Sequence, residues 1–351
     1  MKSIIKKSPY VIAELGVNFY DTARELNISP LDAAKLYIDE AVRVGIDAVK
    51  FQSYKAETIA SKNSPSYWDL TKEPTTSQYE LFKKLDGFNQ SDYVELCSYC
   101  KKKSIDFLST PFDYQSADYL YDLVDMYKIS SSDLSNIPFL KYIAKKGKPI
   151  ILSVGASYIS EIDEAVRAIQ STGNNKISLL HCVLSYPTKY EDANLNFIKH
   201  LKQIYPEFVI GFSDHTVPDE CMTILSTAYL FGAEIIEKHF TLDKTLEGND
   251  HYHAGDPNDF EKAIHNFELI NKIKGSAFKT VLDCEEVPRK QARRSLVLSR
   301  DMKMGDVICE QDLIAKRPGT GISPQYMEMV VGKRIIRDMK EDSILMWEDL
   351  L

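Results

Sequence analysis

Short runs of apolar and β-branched residues recur along the chain, each followed by a stretch whose apolar positions return every three or four residues. The runs are 10–15 (YVIAEL), 48–51 (AVKF), 106–109 (DFLS), 126–129 (MYKI), 149–153 (PIILS), 177–181 (ISLLH), 209–212 (VIGF) and 234–237 (EIIE). Between the first two, residues 30–44 set Leu31, Ala34, Leu36, Ile38, Ala41 and Val42 on one apolar face. Stretches 92–103, 161–170, 195–204, 221–231 and 256–273 carry the same helical period. Strand then helix, eight times over the first 275 residues, predicts an α/β fold of the (β/α)8 TIM-barrel type. A doubly wound open sheet competes, but no G-x-G-x-x-G opens the first helix. The interval 53–79, rich in Ser, Thr, Pro and aromatic residues, reads either as a loop over the barrel mouth or as an irregular insertion.

Beyond Lys274-Gly275 the pattern changes. Residues 276–290 have no strong period and read as a linker. From 291 to 351, short strands are expected at 295–298, 307–308, 313–315 and 334–336, punctuated by Gly305, Pro318, Gly319, Gly321 and Pro324. The chain's 351 residues exceed what one core usually serves, so a barrel over 1–275 and a small β-rich domain over 291–351 are expected.

Net charge is −8, and its distribution is informative. Residues 276–351 hold 13 basic and 13 acidic side chains, leaving the whole deficit to the first 275, with 30 and 38. An acidic barrel disfavours nucleic acid as a partner, because neutralising phosphates needs a basic face. No apolar run approaches the ~18 residues of a membrane span, and the basic start lacks the apolar centre of a signal peptide, so a cytoplasmic protein is expected. Six cysteines form no disulfide-scaffold pattern, and Cys97-x-x-Cys100 lies within a predicted helix with no second pair at zinc spacing.

In a barrel the C-terminal ends of the strands build the active site. Here those ends read Glu14, Lys50 with Gln52, Ser109-Thr110, Lys128 followed by serines 130–132, Ser153, His181, Ser213-Asp214-His215 and Glu237-Lys238-His239. Lys50 and Lys128 interrupt apolar runs, so their ammonium groups need partners. With Thr110, Ser131, Ser153 and Ser213 they would make a pocket for a phosphate or carboxylate. Alternatively, each pairs with an interior carboxylate such as Glu14 or Glu237, or one serves as a Schiff-base nucleophile. His215 and His239 stand one β/α unit apart at the rim. With Glu14 and Asp250 nearby, they suit a divalent ion acting as a Lewis acid. His251-x-His253 is a rival metal spacing in the loop after the eighth strand.

Taken in order, Ala13-Glu14-Leu15-Gly16, Val49-Lys50-Phe51-Gln52-Ser53, Leu108-Ser109-Thr110-Pro111-Phe112-Asp113, Tyr127-Lys128-Ile129, Leu180-His181-Cys182 and Tyr186-Pro187-Thr188 resemble the sialic acid synthase family. So do Phe212-Ser213-Asp214-His215, Glu237-Lys238-His239-Phe240-Thr241-Leu242-Asp243 and Lys316-Arg317-Pro318-Gly319, the last in a stretch similar to the antifreeze-like (SAF) domain. The resemblance implies condensation of phosphoenolpyruvate with an N-acyl-hexosamine aldehyde and water, giving a nine-carbon 2-keto-3-deoxy acid and phosphate by C–O cleavage. It implies that Lys50, Thr110, Lys128, Ser131, Ser153 and Ser213 hold phosphoenolpyruvate, and that His215 and His239 bind Mn²⁺ or Mg²⁺. Glu14 becomes a proton acceptor, and Gln52, Tyr186, Asp250 and Arg317 contact the sugar or intermediate. It also implies a domain-swapped homodimer in which Arg317 reaches the partner's barrel. Asn18-Phe19 with a lengthened 20–29 segment, the serine run after Ile129, and His251-Tyr252-His253-Ala254-Gly255-Asp256 depart from the family pattern. These departures leave N-acetylmannosamine, a diacetamido-trideoxyhexose and other aldoses open as acceptors. A Schiff-base pyruvate aldolase and a non-catalytic sugar-binding relative of the same fold are the alternatives.

Overall fold

The computed structural model describes residues 9–248 and 250–351. Its strands β1 (Tyr10–Gly16), β2 (Ala48–Ser53), β3 (Asp106–Pro111), β4 (Tyr127–Ile129), β5 (Ile150–Ser153), β6 (Ile177–Cys182), β7 (Val209–Asp214) and β8 (Ile235–His239) form one sheet. Neighbouring strands run parallel in the order β3-β2-β1-β8-β7-β6-β5-β4, and β3 and β4 at its two ends pack against each other. The sheet is therefore the expected (β/α)8 barrel.

Helices cover the outside for legible reasons. Pro30–Val44 starts where the Ser29 hydroxyl accepts the Asp32 amide at 3.1 Å, has Pro30 in its first turn, and ends at Gly45 with φ of 83°. Its buried face is Ala33, Ala34, Tyr37, Ile38, Ala41 and Val44. The expected Leu36 instead faces outward, because Tyr37 fills the stripe and hydrogen-bonds Thr22 at 2.8 Å. The lengthened segment after β1 folds as a helix, Phe19–Leu26.

Side chains alternate across each strand, and that alternation sorts the barrel. One face of the strands sends Val11, Ala13, Val49, Phe107, Tyr127, Ile150, Leu179, Ile210 and Ile236 into the main core with the helices. The other face forms a separate interior cluster of Tyr10, Ile12, Ala48, Leu108, Met126, Ile151, Leu180, Val209 and Ile235. Two residues further along that inner face come Glu14, Lys50, Thr110, Lys128, Ser153 and Glu237. The barrel is thus plugged by apolar groups below and lined by ionisable ones above.

The chain divides into two compact units, Met1–Lys274 and Gly275–Leu351. The second has its own core, including Leu296, Leu298, Ile308, Ile322, Val330 and Leu345, around the antiparallel pair β9 (Ser295–Leu298) and β10 (Leu313–Lys316). The strands expected at 307–308 and 334–336 shrink to isolated bridges, Val307 with Arg334 and Ile335 with Leu350, since turns at Gly305 and Gly332, both at positive φ, cut the runs short. Glu286–Ala292, which runs two residues past the expected linker, is a helix none of whose residues is buried, so no apolar period marks it in the sequence.

Candidate active site

A cavity of about 580 Å³ opens at the C-terminal ends of the barrel strands. The barrel residues expected to bind substrate or metal all line it: Glu14, Lys50, Gln52, Thr110, Lys128, Ser131, Ser153, Tyr186, Ser213, His215, His239 and Asp250. Tyr67, Lys72 and Gln78 line it too, so the 53–79 insertion and the helix after it wall the mouth. Arg317 is the exception: it lies in the second unit, exposed, just beyond β10.

Alternation also decides which rim residues stay outside. His181 turns into the helical layer, where Nε2 lies 2.8 Å from the Ala193 carbonyl. Ser109 hydrogen-bonds Ser53 at 2.6 Å, and Lys238 donates to Asp214 and to the Thr216 carbonyl at 2.6 and 2.7 Å. These three support the rim without reaching the cavity.

At the cavity floor two lysines and two glutamates interlock. Lys50 pairs with Glu14 and approaches Glu237 at 3.7 Å, and Lys128 approaches the same Glu237 oxygen at 3.7 Å. Lys128 donates to Ser153 at 2.7 Å, Lys50 to Thr110 at 3.3 Å, Gln52 to Glu14 at 2.9 Å and Ser213 to Glu237 at 3.0 Å. All four ionisable groups are buried. Burial pushes the Lys50 ammonium down, but Glu14 and Glu237 outweigh it and hold its pKa above the ordinary value. At Lys128 burial wins, and the pKa falls below the usual lysine range. Burial likewise raises the Glu14 carboxyl despite Lys50, whereas Glu237, facing both lysines, is held low. Glu237 is the residue the sequence left among several partners. Its signal was the inward phase it shares with Ile235 two positions before.

Above this floor sit the imidazoles. The His215 ring lies tilted against Tyr186, with centroids 4.2 Å apart, and its Nδ1 faces the Val183 carbonyl at 2.7 Å. His239 lies 5.5 Å from it between ring centroids. Among the described residues, His239, Asp250 and His253 offer ligand atoms that all lie within 4.8 Å of one another. Among the described residues, His239 Nδ1 and both ring nitrogens of His253 are buried and find no hydrogen-bond partner. Burial drives His215 down to about 4 and His239 and His253 well below the histidine range, so all three rings are neutral at pH 7 and have lone pairs to offer. Burial, with Glu14 and Asp21 nearby, pushes Asp250 up to about 7. Unpartnered imidazole nitrogens beside a carboxylate fit a divalent ion. Of the rival pair, His251 is occupied, with Nδ1 2.7 Å from the Thr241 hydroxyl and Nε2 3.4 Å from Asp21.

Fold and cavity together define a barrel whose ionisable groups gather at the strand ends, where barrel enzymes carry their chemistry. The chain belongs to the NeuB family, which it matches over residues 37–279, and residues 293–351 match the SAF domain. It is 41% identical over 343 residues to an uncharacterized protein of Methanocaldococcus jannaschii, covering 97% of this chain and 94% of that one. It is 36% identical over 344 residues to the N,N'-diacetyllegionaminic acid synthase of Campylobacter jejuni, 97% and 99% of the two chains. Among solved structures, the N-acetylneuraminic acid (sialic acid) synthetase of Leptospira borgpetersenii in complex with citrate is 34% identical, with a TM-score of 0.68 over 80% of this chain and 90% of that one.

Proposed function

We propose that this chain condenses phosphoenolpyruvate with water and an N-acyl-hexosamine aldehyde, N-acetylmannosamine or a diacetamido-trideoxyhexose, to give a nine-carbon 2-keto-3-deoxy acid and phosphate. The observation that carries the reading is the buried Lys50–Glu14–Glu237–Lys128 cluster lying beneath neutral imidazoles in one cavity. Relatives named as legionaminic and sialic acid synthases support the reaction class.

Lys50 and Lys128, with the hydroxyls of Thr110, Ser131, Ser153 and Ser213, hold the phosphate and carboxylate of phosphoenolpyruvate. Gln52, Tyr186 and Asp250 orient the sugar so that the enol carbon meets the aldehyde carbon. Attack leaves positive charge at C2, which the buried carboxylates stabilise. Water then adds to C2 as Glu14 takes its proton, and that proton passes to the alkoxide left on the former aldehyde oxygen. The C–O bond to phosphate then breaks as the C2 hydroxyl becomes the ketone and gives its proton to the departing phosphate, so no phosphoryl group reaches the protein. A divalent ion, Mn²⁺ or Mg²⁺, held by His215 and His239 with Asp250 beside them, would supply Lewis-acid polarisation of the aldehyde. The same reading makes the protein a cytoplasmic homodimer with 276–290 as linker and Arg317 of the 291–351 domain completing the partner's cavity.

The test is phosphate release from phosphoenolpyruvate with Mn²⁺ across a panel of N-acylated and plain aldoses. Release with at least one N-acyl aldose is expected, and none with any sugar would overturn the reading. The lowered Lys128 pKa favours one rival, a Schiff-base pyruvate aldolase. Borohydride with pyruvate would trap a covalent adduct on that rival, and none is expected here.

A further inference from the structure

The loop after β8 carries a histidine that the proposed reaction leaves unused. His253 is fully buried, and its imidazole packs 4.9 Å from the His239 ring and 5.6 Å from Tyr186. Among the described residues neither ring nitrogen finds a hydrogen-bond partner, and a buried polar group left unsatisfied is costly, so it needs a reason to be there. The loop is built to hold the ring in place. Gly255 donates to the His239 carbonyl at 2.8 Å, Thr241 to the Gly255 carbonyl at 3.0 Å, and Ala254 to the His251 carbonyl at 3.2 Å. His251, tied to Thr241, fixes the other end.

We infer that His253 is a ligand of the metal centre, joining His239 and Asp250, and that the centre therefore selects a first-row transition ion over Mg²⁺. His239, His253 and Asp250, with the His215 ring 5.5 Å from His239, present mainly borderline-soft nitrogen, which suits later transition ions, whereas Mg²⁺ takes oxygen and keeps much of its water. Affinity should rise from Mn²⁺ to Co²⁺ and be weakest for Mg²⁺. The inference rests on the metal part of the proposed function but concerns a residue that reading does not use.

The experiment titrates Co²⁺, Mn²⁺ and Mg²⁺ into the metal-free full chain, following heat and, for Co²⁺, ligand-field absorption. Wild type is expected to bind Co²⁺ and Mn²⁺ at one site and Mg²⁺ far more weakly. His253→Ala and His253→Gln should each weaken Co²⁺ binding by on the order of 100-fold and change the Co²⁺ spectrum. Wild-type affinity and spectrum in a folded His253 variant, or equal affinity of wild type for Mg²⁺ and Co²⁺, would overturn the inference. Should both variants fail to fold, anomalous diffraction from Mn²⁺-soaked wild-type crystals decides. An ion about 2.0–2.2 Å from a His253 nitrogen supports the inference, and an ion bonded elsewhere overturns it. Phosphate release is read separately: metal binding through His253 without condensation refutes only the proposed reaction, and condensation with wild-type metal binding in His253→Ala refutes only this inference.

Discussion

Under the proposed function, Lys50 serves substrate binding and stability at once. Its ammonium lies between Glu14 and Glu237, and both carboxylates are buried. Lys50→Met should raise KM for phosphoenolpyruvate by about 10–100-fold, the worth of a charged hydrogen bond. It should also lower stability by about 3–5 kcal/mol, because it strands buried carboxylates. Adding Glu14→Gln should recover much of that stability without recovering activity, as thermal unfolding and a phosphate-release assay would read. Full stability in the single variant would mean that Glu14 and Glu237 find other partners. At this scale the sequence was informative about which residue types stand at the strand ends. It was silent on which carboxylate faces which lysine, since four strands must close before Glu237 meets both.

At the scale of elements, the helix Thr223–Leu230 begins oddly, with Met222 at positive φ and no side-chain cap of its own. Asp219 serves instead, accepting the amides of Cys221 at 3.1 Å, Thr223 at 2.7 Å and Ile224 at 3.3 Å. Partial burial would raise its carboxyl, but those amides outweigh it and hold the pKa below the ordinary range. A depressed carboxylate stabilises the fold above its unfolded pKa of about 3.9 and loses that contribution as pH falls through the lower folded value. Asp219→Ala should therefore cost about 1 kcal/mol at pH 7, with the gap to wild type narrowing as pH falls below the unfolded value of about 3.9, as denaturant titrations at neutral and acid pH would show. A gap unchanged in acid would remove Asp219 from the capping role. Gly211 in β7 is needed for space, since an added Cβ would lie 2.6 Å from the Ile235 carbonyl oxygen of β8. Gly211→Ala should cost about 1–3 kcal/mol in urea unfolding, and a neutral effect would mean that β8 yields easily. Strands were legible because both faces are buried and read as short, mostly apolar runs. The helix Glu286–Ala292 was not, because it buries nothing.

For the molecule as a whole, the proposed homodimer makes a prediction no single-chain defect imitates. Arg317→Ala and Glu14→Gln should each be nearly inactive alone. Co-expressed, they should regain about a quarter of the wild-type rate, since half the dimers would pair one intact barrel with one intact Arg317. No recovery would place Arg317 in its own chain's site or in none. The eight-fold repeat, the change of pattern near residue 275 and the polar strand ends were settled by local physics, because period and burial are written in neighbouring residues. Other features waited for closure of the barrel. Inward phase separated Lys50 and Lys128 from His181 and Lys238, although all four look alike as polar ends of apolar strands. Between His251 and His253, two residues apart in one loop, folding gave the first a hydroxyl and a carboxylate and left the second facing His239 and Asp250. Spacing along a chain sets which residues are available, whereas coordination and charge pairing depend on distances that only long-range packing determines.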